Sequence, residues 1–163
     1  MDIGRLTERL MGMDDRTWAR HANPLSGWSR VVILPLLALA LWLRGALGLW
    51  IWAALALLVL WTWLNPRLFP EPATLTSWMS RGVLGERVWL ARGQTPIPAH
   101  HARAAMILNV VAGIGIIPLA LGLWRYDPGL VLAGLALTMG GKLWFLDRMV
   151  WLHADMTRPD ART

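Results

Sequence analysis

A chain of 163 residues is long enough for one domain and too short for two of ordinary size. Its residues are 56% hydrophobic, with twelve tryptophans against one tyrosine and two phenylalanines, which excludes an ordinary soluble domain and suits a bilayer, where indole rings collect at headgroup depth. The net charge of +6 flanks apolar stretches and forms no stripe of its own, so the expected partners are anionic lipid headgroups and not nucleic acid, and the absence of cysteine excludes disulfides and thiolate chemistry.

Residues 1–27 read as an amphipathic segment on the membrane surface. Ile3, Leu6, Leu10 and Met13 fall along one helical face, with Arg5 and Arg9 on another. Between Val31 and Leu64 the only charged residue is Arg44. As one helix those residues would reach ~51 Å, too long for a ~30 Å hydrocarbon core. Arg44-Gly45 and Gly48 supply a polar, flexible break. Residues 28–64 therefore read as a hairpin, with span one at 28–43 and span two at 46–64.

The connection over 65–103 is too long for a simple turn. It opens on Asn65-Pro66-Arg67-Leu68-Phe69-Pro70, expected to be extended because proline ends helices. An interfacial helix is expected at about 74–90, with Leu75, Trp78, Met79, Val83, Trp89 and Leu90 as its apolar stripe and Glu86 on or near it. A second hairpin covers 104–152, turning at Arg125-Tyr126-Asp127-Pro128, and 153–163 is a tail. A shift of 83 residues aligns Pro35-Leu36 with Pro118-Leu119 and Leu60-Trp61 with Leu143-Trp144, a faint parallel repeat of the two hairpins. The expected fold is thus all-α: a four-span bundle of two hairpins, with amphipathic interfacial helices on one side.

Orientation follows from the basic residues. Arg44 and Arg125 occupy the two hairpin turns, and every other Lys or Arg lies toward the opposite ends. The positive-inside rule puts those ends, and both termini, in the cytoplasm. The expected location is a membrane bordering the cytoplasm.

The polar residues of the spans gather on the same side. Lys142 lies ~20 Å and Asp147 ~27 Å from the far face by helical rise. Asn109 lies near the inner end of span three, and Asn65 and Arg67 close span two. Intramembrane ionisable groups are candidates for function, yet they also serve as clamps that pair with loop charges. The clamp ranks first and a pocket second. In the pocket reading Arg20, Asn65, Arg67, Arg81, Asn109, Lys142 and Arg148 bind an anionic ligand, with Asp147, Glu86 or His21 as proton-transfer candidates. No metal site and no cofactor is expected, because His21, His100, His101 and His153 show no ligand spacing of a known kind. Neighbouring histidines on a helix point ~100° apart, so His100 and His101 are not expected to chelate together.

Four stretches carry a family resemblance. They are Trp18-Ala-Arg-His-Ala-Asn-Pro24 leading to Trp28-Ser-Arg30; Asn65-Pro-Arg-Leu-Phe-Pro70; Ser77-Trp-Met-Ser-Arg81 with Val83-Leu-Gly-Glu86 and Trp89; and Lys142-Leu-Trp-Phe-Leu-Asp-Arg-Met149. Together they resemble DUF6653, a family of small prokaryotic membrane proteins of unknown function. The resemblance implies an integral membrane protein and supplies no activity. The first functional reading is a non-enzymatic accessory or interaction subunit, with a membrane-protein partner or a second copy of itself. The alternative is a membrane enzyme or carrier for a lipid-like anionic molecule.

Overall fold

A computed structural model describes residues 15–158, and among these there is no strand. The stripe of Ile3, Leu6, Leu10 and Met13 lies outside the described residues. In chain order the helices are α1 (Asp15–His21), α2 (Pro24–Val31), α3 (Ile33–Trp42), α4 (Arg44–Leu47), α5 (Trp50–Leu68), α6 (Trp78–Leu90), α7 (Ala99–Arg125) and α8 (Pro128–Thr157), with a 3₁₀ turn at Ala91–Gly93. Four stretches are long and apolar enough to cross a membrane: Pro24–Trp42, Trp50–Leu68, Ala99–Arg125 and Pro128–Thr157.

Span one is built from α2 and α3. Asn23 caps α2 by accepting a hydrogen bond from Leu25 N at 2.9 Å, and Pro24 occupies the first turn, where its missing N–H costs nothing. The helix is interrupted at Val32 because Pro35 has no N–H to offer Val31, four residues back, and its ring crowds that carbonyl. Helix α5 corrects the expectation of an extended chain at Asn65. It continues through Pro66 to Leu68 and stops at Phe69, whose extended backbone precedes Pro70. Side chains of α2 hold Asn65 from outside the helix, so its last turn is supported despite the proline.

The second hairpin is a close-packed pair. Four glycines let α7 and α8 approach backbone to backbone. A Cβ on Gly122 would meet Val131 N at 2.6 Å, one on Gly141 would meet Ala112 N at 2.9 Å, one on Gly115 would meet Thr138 N at 2.6 Å, and one on Gly134 would strike Leu119. Without a hydrophobic effect between helices in lipid, such close van der Waals packing is the main attraction. Helix α6 joins this pair by the same device: Gly82 rests on Leu146 and Gly85 on the Met149 backbone. Phe145, Met149 and Leu152 of α8, with Ala105 and Leu108 of α7, form the largest buried cluster, against which Val88 and Trp89 of α6 pack.

The two hairpin turns meet at one end of the molecule. Arg44 donates to Leu41 O at 2.8 Å and to Trp124 O at 3.3 Å, and its guanidinium lies 3.9 Å from the centre of the Tyr126 ring. Tyr126 ends α7 in the left-handed region, with φ 55°, and Asp127 then caps α8 by accepting from Leu130 N at 3.1 Å. The polar groups collect at the opposite end.

Candidate functional site

Three polar junctions occupy that opposite end, each joining segments far apart in sequence. The first stitches α1 and α2 to the end of α5. Ser26 Oγ donates to Asn65 Oδ1 at 2.6 Å, and Asn65 Nδ2 donates to Ser29 Oγ at 2.6 Å. Asn65 and Ser26 are both wholly buried, so these bonds meet a requirement rather than decorate a surface. Beside them Asn23 Nδ2 donates to Pro70 O at 3.0 Å, and Arg20 donates to Arg67 O at 3.4 Å.

The second junction fixes the start of α6. Ser77 caps the helix by accepting from Ser80 N at 3.0 Å, which aims the Ser80 hydroxyl at Ala22 O, 2.7 Å away. Trp78 stacks on Trp28 with ring centres 5.9 Å apart and donates its indole N–H to Asp147 Oδ1 at 3.1 Å. Asp147 Oδ2 accepts from Arg148 at 3.2 Å.

The third junction is the charge cluster. Lys142 Nζ donates to Glu86 Oε1 at 2.9 Å and sits 4.3 Å from the centre of the Phe145 ring. Arg30 completes the group, its guanidinium lying against the His21 ring. Burial pushes the Glu86 carboxyl up, but Lys142, through its charge and its hydrogen bond, together with Arg30 and His21, outweighs burial and holds it below the usual carboxylate range. For His21, burial and then the Arg30 charge act in one direction and lower its pKa from 6.5 to about 3. At neutral pH Glu86 is therefore ionised and His21 neutral. A base as weak as His21 is poorly matched to proton transfer near neutrality.

Two hollows adjoin these junctions. A recess of about 150 Å³ is lined by Arg30, Leu34, Thr138, Met139, Lys142 and others. A larger groove of about 520 Å³ runs along α7 and α8 between Ile107, Val111, Leu137, Gly140 and Trp144, with Arg148 as the charged residue in its wall. Arg148 Nε is buried without a hydrogen-bond partner, as is Thr138 Oγ1.

Residues 4–163 match the model of a family described as being of unknown function, DUF6653. The chain belongs to DUF6653. No curated protein and no solved structure matches it.

In this DUF6653 member the candidate residues do not form one site. His21, Glu86 and Lys142 come together. Asp147 and Arg148 form a separate pair, Asn65 belongs to the serine junction, and Arg20 meets Arg67 at its carbonyl. Asn109 turns back to Ala105 O at 2.8 Å on its own helix, and Arg81 is exposed with its charge acting on His153. The sequence reading missed Arg30, Ser26, Ser29, Trp78 and Ser80 as members of these junctions. Their signal was present in the motif stretches Trp28-Ser-Arg30 and Ser77-Trp-Met-Ser-Arg81, but nothing local says that a serine or tryptophan there faces a distant helix.

Proposed function

We propose that this protein is a non-enzymatic accessory or interaction subunit of a membrane assembly, with its polar end in the cytoplasm. The observation that carries this reading is the pairing of polar side chains across segments far apart in the sequence. Asn65, Glu86, Lys142 and Asp147 each make at least one hydrogen bond to a distant part of the same chain. The recess beside Arg30 and Lys142, about 150 Å³, is small against the ~300–1,000 Å³ of typical ligand pockets. The junctions act as clamps that present one rigid face, and the asymmetric arginines support the cytoplasmic orientation.

One observation favours a second reading. The α7–α8 groove is apolar along its length and has Arg148, with an unpartnered Nε, in its wall. An acyl chain in the groove with an anionic head near Arg148 would suit it, making the protein a carrier or enzyme for a lipid-like molecule.

Gentle purification from the native membrane followed by native mass spectrometry separates the two. A stoichiometric protein partner or a second copy supports the subunit reading. A retained lipid that disappears in Arg148→Leu, with no protein partner, overturns it in favour of the second.

A further inference from the structure

Where α7 begins and α8 ends, His100, His101 and Asp155 form a cluster outside all three junctions. Each offers one ligand atom, and these atoms lie within 4.8 Å of one another. It is the one such group of three among the described residues. His101 is 3% exposed, its Nε2 lies 2.9 Å from Asp155 Oδ2, and the ring centres of His100 and His101 lie 4.1 Å apart with the planes tilted by 40°. This differs from the sequence expectation that the two neighbouring rings diverge. Both stand in the first turn of α7, where no preceding helical turn crowds them, and the end of α8 supplies a carboxylate to gather them.

We propose that His100, His101 and Asp155 bind one divalent transition-metal ion of the zinc class. Two imidazoles and one carboxylate are the donor set that zinc, cobalt and nickel accept and that magnesium and calcium do not favour. Tetrahedral coordination at ~2.0–2.1 Å sets neighbouring ligand atoms ~3.3 Å apart. The His101–Asp155 pair already approaches that spacing, and His100, exposed at the surface, closes the remainder by side-chain rotation. Arg158 lies 3.6 Å from Asp155 Oδ1, the oxygen turned away from His101, so it orients the carboxylate from outside the set. Three protein ligands leave a position for water or for a donor from a partner. The bound ion ties the start of α7 to the end of α8 and so closes the second hairpin at its polar end.

The test uses full-length, untagged protein stripped with a chelator, incubated with zinc, dialysed, and assayed by elemental analysis and thermal unfolding. The expected result is one zinc per chain, a raised Tm with zinc but not with magnesium, and at least tenfold weaker binding in both His100→Ala and Asp155→Asn. His100 is exposed, so its removal leaves the core intact, and the unliganded Tm of each variant checks the fold. Cobalt substitution reads the site independently, through a visible spectrum that vanishes in His100→Ala. No retained zinc, or zinc retained equally by both variants, overturns the proposal and leaves His101 and Asp155 as a hydrogen-bonded pair only.

Discussion

The two hairpins solve the problem of helix association in lipid differently. In the second, α7 and α8 are in contact along most of their length because Gly115, Gly122, Gly134 and Gly141 remove the side chains that would hold them apart. In the first, α5 contains no glycine, and its only buried residues are Asn65 and Pro66 at its last turns. Leu49, Trp50, Trp52, Leu57 and Val59 near and within it are more than 60% exposed to the protein's surroundings. One hairpin is held by close backbone packing along its length, and the other has its buried hydrogen bonds at its open end. Beyond its contacts with α3, most of the flank of α5 is left open to its surroundings.

The comparison can be broken most forcefully in the second hairpin. Gly134→Leu should drive a side chain into the Leu119 backbone and cost about 1–3 kcal/mol or more, read as a fall in Tm in detergent. Gly113→Leu on the lipid side, where an added Cβ meets nothing within 4 Å, is the control. If the two variants lose stability equally, close packing is not what holds this hairpin. Asn65→Leu attacks the first hairpin instead, leaving the Ser26 and Ser29 hydroxyls without their partner, at a cost of about 1–3 kcal/mol. Limited proteolysis should then cut the α1–α2 region while α7 and α8 stay protected, and uniform digestion would contradict the division.

Acid sharpens the same contrast. The unfolded chain protonates His21 near 6.5 but the folded one only near 3, so between those values the unfolded state binds more protons and stability falls as pH falls. Glu86, held below the carboxylate range, adds its own loss as pH drops through its folded pKa. His21→Gln should flatten the decline in Tm from pH 6.5 downward, and an unchanged slope would show that His21 does not report on the clamp. The smallest effect expected is that of Lys142→Met. The Lys142 side chain is 54% exposed, and half-exposed ion pairs are worth roughly 0–1 kcal/mol, so Tm should fall only slightly. A large loss would mean that leaving Glu86 without Lys142 costs far more than a half-exposed pair is worth.

The spans were legible because lipid requires long apolar runs, and the Arg44 and Tyr126 turns because charge, glycine and proline interrupt them. The polar end was legible only in part. Depth along a helix placed Lys142 and Asp147 on one side, but it carries no information about which face of α6 meets α8. The pairing of Glu86 with Lys142 depends on Gly82 and Gly85 seating α6 against α8, a tertiary fact that spacing cannot supply. Pro66 misled for a related reason. Its local preference is to end a helix, and bonds from Ser26 and Ser29 to Asn65, almost forty residues away, support that turn instead.

The latch between the two turns bears on how the chain is made. Arg44 leaves the ribosome well before Trp124 and Tyr126 exist, so its bond to Trp124 O and its seat over the Tyr126 ring can form only after the second hairpin has entered the bilayer. Until then Arg44 has, of these partners, only the Leu41 carbonyl of its own hairpin. Closure of that latch is thus a late step in biogenesis, and Arg44→Gln should slow the acquisition of protease resistance at the turns after insertion while leaving insertion itself unchanged.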